Sequence, residues 1–170
     1  MICVLNLKVA QNSTIGKDGD IPWRLSEDFQ YFQEKTMGFP CVMGDKTFES
    51  LPDNARPLPG RENIILSLDP EYKAEGTTIF NSLDDANEYM KAKEKVFICG
   101  GASIYKIYLP FADTLMLTRI HKDIEGDTFF PDVNFDEWEI VNEEKGEGVN
   151  KNNGELLKFS FLTYKRKNKK

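Results

Sequence analysis

The stretch KVFICGGASIYKIYL, residues 95–109, decides the fold. Residues 95–99 form an apolar run rich in branched side chains, which is typical of a buried strand. Gly100 and Gly101 break this run, and residues 102–109 predict a helix that Pro110 stops. A strand that leads through a glycine turn into a helix is the repeating unit of a parallel α/β sheet.

The same alternation extends over the first two thirds of the chain. Predicted strands lie at residues 1–10, 40–44, 63–68, 77–80 and 115–120, and predicted helices at 26–38, 47–51 and 82–92. Residues 11–23 and 54–60 are rich in glycine, proline and polar side chains, and we expect them to be loops. This order predicts an α/β fold with a mostly parallel sheet and helices on both faces.

The last part of the chain follows another pattern. Residues 138–142 and 156–165 predict two strands joined through a turn around Asn153 and Gly154. Such a hairpin predicts an antiparallel edge of the sheet. We expect one domain over residues 1–165 and a basic, frayed tail over residues 166–170.

Composition limits the class of function. The chain has 170 residues, of which 40% are hydrophobic and 29% charged, so it can bury the core of one domain. Its net charge of -6 argues against a nucleic-acid binder, although local basic groups still permit a small anionic ligand. Asn6 and Lys8 interrupt the N-terminal apolar run, and no stretch approaches membrane-spanning length. We therefore expect a cytoplasmic protein without membrane contact.

The few metal-ligating and nucleophilic side chains have no motif spacing. Cys3, Cys41 and Cys99 lie in apolar runs without a C-x-x-C pair, so we expect buried, reduced thiols and no metal site. The one histidine, His121, follows a predicted strand. We interpret it as a surface residue at the strand end, the alternative being a catalytic partner for a cysteine.

Two strand–helix junctions could hold phosphate groups. In an open parallel sheet, ligands bind beyond the carboxyl ends of the strands. Gly100 and Gly101 allow the backbone to approach a ligand there, which alone is a weak signal. The junction at residues 43–47 has the same layout and adds Lys46 and Thr47. Two such junctions favour a ligand with two separated phosphates, such as a dinucleotide.

Asp28 lies in the first turn of an aromatic-rich predicted helix. One interpretation is a surface carboxylate that complements the helix dipole. The other notes that Phe32 lies one turn later on the same face, so that Asp28 could face a cleft lined by Phe29 and Phe32. A carboxylate between apolar walls is poorly solvated and would favour a planar double donor, such as the amidine-like edge of a heterocycle.

Arg56 and Arg61 flank the segment PLPG at residues 57–60. They are either two solvated loop arginines or a fork for an external carboxylate, held on a loop that two prolines stiffen.

Together these pieces resemble dihydrofolate reductase. The matching stretches follow the family's order and spacing from residue 1 to about 165. The stretch RPLPGREN, residues 56–63, is individually quite specific, as is the GKDGDIPW of residues 16–23. The matching stretches are residues 16–23, 28–32, 42–44, 47–50, 56–67, 98–105, 117–120 and 125–131.

The resemblance implies a single-domain α/β fold with an eight-stranded, mostly parallel sheet. It implies reduction of 7,8-dihydrofolate to tetrahydrofolate by NADPH, with hydride transfer to C6 and a proton to N5, in support of one-carbon and thymidylate metabolism. It also implies a small-molecule substrate and antifolate inhibitors. We expect a monomer, because the sequence shows no long exposed apolar stripe.

The resemblance also implies a substrate site. Asp28 would grip the 2-amino and ring N–H groups of the pterin, supported by Thr118, and Trp23 would hold an ordered water nearby. Arg61 would bind the glutamate α-carboxylate, with Arg56 peripheral. The remaining substrate-binding residues would be Leu5, Phe29, Phe32 and Leu51.

By the same resemblance, residues 16–23 would form a mobile lid, and the Gly100–Gly101 peptide would be cis. Lys46, Thr47, Ser67 and the turn at residues 100–105 would bind the phosphates of NADPH. The full set of implied cofactor contacts is Ala10, Ile15, Gly16, Asp20, Ile21, Gly44, Lys46, Thr47, Ser67, Cys99, Gly100, Gly101, Ala102, Ser103, Ile104 and Tyr105.

Three positions depart from the family pattern. Asp45 stands where an arginine is frequent near the 2′-phosphate, and Leu68 where a hydroxyl or a base is frequent. The resemblance therefore leaves the strength of the preference for NADPH over NADH open. Lys8 stands where a small apolar residue is usual, and the sequence does not place its side chain.

The sequence leaves two rival functions. One is a reductase of the same fold that acts on a non-folate heterocycle such as a riboflavin precursor, which would need neither Asp28 nor Arg61 at these places. The other is a catalytically silent folate or nucleotide carrier.

Overall fold

The computed structural model describes residues 1–168. The ten strands in this part of the chain are β1 (Ile2–Ala10), β2 (Thr14–Gly16), β3 (Cys41–Gly44), β4 (Asn63–Leu66), β5 (Thr77–Phe80), β6 (Lys95–Ile98), β7 (Thr114–Ile120), β8 (Thr128–Phe129), β9 (Trp138–Val149) and β10 (Leu156–Arg166). The α-helices are α1 (Ser26–Thr36), α2 (Asp45–Glu49), α3 (Leu83–Met90) and α4 (Ala102–Tyr108). Short 3₁₀ turns follow at Asp53–Ala55, Leu109–Phe111 and Phe135–Glu137.

Eight of the strands form one sheet in the order β5-β4-β3-β6-β1-β7-β10-β9. The five strand pairs from β5 to β7 are parallel, and β10 pairs antiparallel with both β7 and β9. This confirms the predicted mostly parallel sheet with an antiparallel C-terminal edge. Because β1 lies between β6 and β7, the ends of these three strands meet near the middle of the sheet.

The alternation of side chains along β1 divides the core in two. Leu5, Leu7 and Val9 pack on one face, in the same cluster as Ile104 and Tyr105 of α4. The residues between them project to the opposite face, since successive side chains of a strand alternate. That opposite face carries two polar side chains of β1 toward α1.

The sequence predicted that residues 11–23 form a loop, but the structure shows that part of this segment is a strand. The short strand β2 forms within them and pairs antiparallel with β8. Asp18 and Gly19 then turn the chain with positive φ angles of 50° and 80°. The glycine and polar residues correctly predicted the turn at residues 18 and 19, but they did not indicate β2, which is only three residues long.

The C-terminal end is better anchored than the sequence predicted. Arg166, assigned to a frayed tail, is the last residue of β10, and its backbone N–H donates to Asp113. Its guanidinium donates to the carbonyls of Ala112 and Leu109 at 2.8 and 2.7 Å and lies 4.2 Å from the ring of Trp138. Residues 169 and 170 of the predicted tail lie outside the described residues.

The three cysteines form no disulfide, and the histidine lies apart from them. Cys3, Cys41 and Cys99 are free, and burial followed by the charge of Asp113 raises the pKa of the Cys3 thiol to about 12. His121 lies at the surface after β7, with its Nε2 2.7 Å from the hydroxyl of Ser160. Within residues 1–168, the structure contains no cluster of potential metal ligands, and no helix there is long and apolar enough to cross a membrane.

Replacing Arg166 with alanine should lower the free energy of unfolding by about 1–3 kcal/mol, because two partly buried carbonyls lose charge-assisted donors. Urea unfolding measures the change. The adjacent exposed Lys165 is the matched control, and Lys165→Ala should change stability by less than about 0.5 kcal/mol. Equal effects of the two substitutions would contradict the anchoring role of Arg166.

Candidate active site

Asp28 is a buried carboxylate with both oxygens engaged. Its side chain is 3% exposed, although it lies in the first turn of α1. The Thr118 hydroxyl donates to Oδ1 at 2.7 Å, and the Lys8 ammonium lies 3.1 Å from Oδ2. Lys8 and Thr118 are register neighbours on β1 and β7, so adjacent strands place both partners. The carboxylate therefore lies between α1 and the sheet, a region called the cleft below, and is not a solvated surface group.

Lys8 is part of this site, which the sequence did not reveal. Its side chain is 13% exposed, and its Nζ lies 4.0 Å from the centre of the Phe29 ring. An ammonium between a carboxylate and an aromatic face is stabilised by both. The walls around Asp28 are thus not purely apolar, because one of them carries a cation.

Aromatic and aliphatic side chains extend the cleft from Asp28. Phe29 is 42% exposed, and Phe32 and Leu51 are half-buried against one core cluster. Leu5, expected in the substrate wall, is fully buried on the other face of β1, so the prediction is wrong for its side chain. Asn6, the next residue, lies on the cleft side instead.

The two arginines of the proline-rich loop have different surroundings. The Arg61 guanidinium donates to the Pro59 carbonyl at 2.9 Å and to the Thr36 hydroxyl at 3.0 Å, and it lies 5.7 Å from the Phe32 ring. Within the described part of the chain, its Nη2 and the second N–H of its Nη1 have no hydrogen-bond partner, so two neighbouring donors are available to a ligand.

Arg56, by contrast, is used within its own loop. Its guanidinium donates to the Glu49 carbonyl and to the Asp53 carboxylate, each at 2.8 Å. Because these acceptors already orient both ends of the fork, the structure does not support the expected pair of arginines around one carboxylate. Arg61 alone remains as the candidate.

Two buried polar groups of the cleft have no acceptor among residues 1–168. These are Nε1 of Trp23 and Nδ2 of Asn6. Buried N–H donors are almost always paired with protein, ligand or ordered water. The Trp23 indole fits the water-holding role that the resemblance implies. The Asn6 amide was missed, because no motif marked it and the face of β1 could not be read to within one residue.

The second half of the site consists of the two glycine junctions. β3 and β6 are parallel neighbours, and the Gly44 N–H donates to the Gly100 carbonyl at 2.9 Å. The Gly100–Gly101 peptide is cis, and Gly100 has a φ of +112° that a side chain would strain. A Cβ on Gly101 would lie 3.3 Å from the Thr47 hydroxyl. The two junctions therefore share one narrow surface of backbone and hydroxyl groups.

Charges at the edge of this surface are mixed. Lys46 is exposed, whereas Ser67 is buried and its hydroxyl donates to Oδ2 of Asp45 at 2.6 Å. Leu68 is 97% exposed and contributes no polar group. An anion here would meet the cation of Lys46, but it would also meet the carboxylate of Asp45.

A tyrosine of α4 connects the glycine junctions to the strand β1 that borders Asp28. Tyr105, in the middle of α4, is buried and donates its hydroxyl to the Asn6 carbonyl at 2.8 Å. Burial raises the pKa of this phenol well above its usual range, so it stays a donor. Its α4 neighbours Ala102, Ser103 and Ile104 directly follow the glycine junction, and Cys99 directly precedes it.

The predicted lid, residues 16–23, is a folded hairpin between β1 and α1. Lys17 and Asp20 form its backbone pair. The Arg24 guanidinium donates to the Asp20 carboxylate at 2.9 Å. The other implied cofactor contacts on this side have apolar surroundings: Ala10 and Ile21 pack with Trp23, and Ile15 packs on the cluster beneath β1.

Asp127 ties this hairpin to the segment before β8. The Asp18 N–H donates to its carboxylate at 3.0 Å, and its own N–H donates to the Gly16 carbonyl at 3.0 Å. The Asp18 N–H, followed by the Thr128 hydroxyl, lowers the pKa of Asp127. The residue lies in one of the matching stretches, but sequence reasoning gave it no role.

Comparison with known proteins gives one consistent family. A family model described as dihydrofolate reductase matches residues 2–166. The chain is 40% identical to dihydrofolate reductase of Bacillus subtilis over 157 residues, covering 92% of this chain and 90% of the relative. It is 45% identical to a type 3 dihydrofolate reductase of Salmonella typhimurium over 132 residues, covering 78% and 80%.

A solved structure agrees with these relatives. Dihydrofolate reductase from Enterococcus faecalis, complexed with NADP(H) and RAB-propyl, superimposes with a TM-score of 0.85 at 34% identity. The match covers 98% of this chain and 97% of that chain.

Replacing Asp127 with alanine should loosen the hairpin, and the Asp18 amide should exchange its hydrogen about tenfold faster. In the unchanged protein, the pKa of Asp127 is lowered on folding, so its protection of this amide is complete at neutral pH. It is lost only as the pH falls through that lowered pKa. Amide exchange followed by NMR measures both effects.

The control is Asp132→Ala, because Asp132 is exposed and lies on the same connection. Unchanged exchange of the Asp18 amide in Asp127→Ala would show that the carboxylate does not anchor the turn.

Proposed function

The chain belongs to the dihydrofolate reductase family, and we propose that it catalyses the NADPH-dependent reduction of 7,8-dihydrofolate to 5,6,7,8-tetrahydrofolate. The observation that carries this proposal is the buried carboxylate of Asp28, fixed by Thr118 in a cleft that adjoins two paired glycine junctions. All the groups involved come from one chain, so the proposed working unit is the monomer.

Asp28 binds and orients the pterin ring. Thr118 holds the buried carboxylate at Oδ1 and Lys8 holds it at Oδ2, so its edge is fixed. Each oxygen can accept a further hydrogen bond from one of two parallel N–H donors, such as the 2-amino group and the adjacent ring N–H. The Thr118 hydroxyl fixes the rotation of that edge at Oδ1. Holding the ring in one orientation removes much of the entropic part of the barrier.

Arg61 selects the charged end of the substrate. Pro59 and Thr36 hold its guanidinium beside Phe32, which with Leu51 forms an apolar wall. A preoriented guanidinium binds a carboxylate with two parallel bonds. The glutamate α-carboxylate of dihydrofolate fits this arrangement, whereas a heterocycle without a carboxylate gains nothing from it.

The residues at the glycine junctions fit a dinucleotide. The backbone of Gly100 and Gly101 allows close approach, and Thr47 and Lys46 supply a hydroxyl and a cation for phosphate oxygens. NADPH supplies the hydride when it is bound. The Asp45 carboxylate on Ser67 opposes a 2′-phosphate, and Lys46 compensates it.

Proton delivery to N5 needs a donor that the ring contacts do not consume. Asp28 uses its oxygens to hold the ring, so we infer that an ordered water carries the proton. The buried Nε1 of Trp23 is a donor suited to position it. The hairpin of residues 16–23 excludes bulk solvent, and its opening or product release would limit turnover.

Mixing the protein with NADPH and dihydrofolate should cause a rapid fall in near-UV absorbance. Asp28→Asn should slow this turnover by about 100-fold or more, because an amide N–H replaces one of the two acceptors. NADPH binding, followed by fluorescence, should change less than about twofold.

A near-normal rate in Asp28→Asn would remove the role of Asp28. No turnover by the unchanged protein would remove the proposed function, and decay only with a non-folate heterocycle would favour the rival reductase.

Arg61→Ala should raise the KM for dihydrofolate by about 10- to 100-fold, because the α-carboxylate loses a charged, bidentate partner. For a dihydropterin that lacks the glutamate, kcat/KM should be nearly unchanged. Arg56→Ala is the matched control on the same loop and should leave the KM for dihydrofolate nearly unchanged. Equal losses for both substrates in Arg61→Ala would refute carboxylate binding by Arg61.

A further inference from the structure

Lys8 places a positive charge inside the proposed pterin site. Its ammonium lies 3.1 Å from Oδ2 of Asp28, and the two side chains are only 13% and 3% exposed. The Phe29 ring covers the ammonium at 4.0 Å. This ion pair is the most buried of those among residues 1–168, and Asp28 is already neutralised before a ligand arrives.

A second donor lies two residues away on the same wall. Asn6 lies on the same face of β1 as Lys8, because side chains of a strand alternate. Its Nδ2 is buried without an acceptor among the described residues, while its carbonyl accepts the Tyr105 hydroxyl. The β1 wall of the cleft therefore offers an ammonium and an unpaired amide donor beside the carboxylate.

We propose that Lys8 is a specificity-determining residue that makes the site favour a neutral ring with an acceptor and disfavour a cationic ring with an extra donor. This inference rests on the proposed function. A 2-amino-4-oxo ring such as that of dihydrofolate brings two N–H donors for Asp28, an oxygen for the β1 wall and no charge.

A 2,4-diamino ring presents a donor, and no acceptor, to the donors of the β1 wall. It replaces the oxygen with a second amino group, and it takes up a proton more readily than the 4-oxo ring does. In a site with a lone carboxylate, that proton would create an ion pair. Here the charge of Lys8 already neutralises Asp28, so the cationic ring meets a like charge in a poorly solvated place.

A purely structural role of Lys8 makes a different prediction. If Lys8 only keeps α1 in place by packing against it, replacing Lys8 weakens the binding of both ring types alike. A role in specificity changes the ratio of the two affinities. The ratio therefore separates the two roles even where the variant is less stable.

The test uses two pteridines that carry the same side chain, one 2-amino-4-oxo and the other 2,4-diamino. Isothermal titration calorimetry gives both Kd values for the unchanged protein, Lys8→Met, Lys8→Gln and Lys8→Arg. Lys8→Met should shift the ratio by about 10- to 100-fold in favour of the diamino compound. Lys8→Gln keeps a polar donor without the charge and should shift it in the same direction, and Lys8→Arg should leave it nearly unchanged.

Lys91→Met is the matched control, because Lys91 forms an exposed ion pair with Glu88 on the distant helix α3. A ratio that stays within about twofold in both Lys8→Met and Lys8→Gln would overturn the role of Lys8. Turnover of dihydrofolate by the unchanged protein is measured alongside. If turnover is present while the ratio does not move, the inference fails and the proposed function stands.

Discussion

The ion pair and hydrogen bond around Asp28 are the constraint on which the site depends. A carboxylate with a 3% exposed side chain is stable only when its charge and its lone pairs are satisfied. Thr118 on β7 and Lys8 on β1 supply these partners, so α1 must pack against these two neighbouring strands in one arrangement. The same arrangement that satisfies the carboxylate turns its edge toward the cleft where a planar ring can bind.

The central position of β1 joins substrate chemistry to cofactor chemistry. One face of β1 carries Lys8 toward Asp28, while the other packs on α4, which follows the Gly100–Gly101 junction. Tyr105 crosses from α4 to the Asn6 carbonyl and fixes the distance between the two halves. Hydride transfer requires two rings in contact, and in the proposed function both binding surfaces lie at the carboxyl ends of adjoining parallel strands.

Much of the fold follows from local patterns, and much of the site follows from motif resemblance. Apolar runs and glycine junctions predicted the sheet, since each strand leads into a helix at a recognisable break. The errors have one physical source, which is that tertiary contacts decide side-chain direction and short pairings. A shift of one residue along β1 exchanges Leu5 for Asn6 at the cleft. The side chain of Lys8 is positioned by Asp28, and the strand β2 forms only by pairing with β8. Arg166 is held by carbonyls more than fifty positions away in the sequence.

The most direct test of this account is a crystal structure with dihydrofolate and NADP⁺ bound. Both Asp28 oxygens should accept N–H donors of the pterin at about 2.7–3.2 Å, while the Thr118 bond to Oδ1 persists. A pterin bound elsewhere, with Asp28 still contacting Thr118 and Lys8 alone, would contradict it.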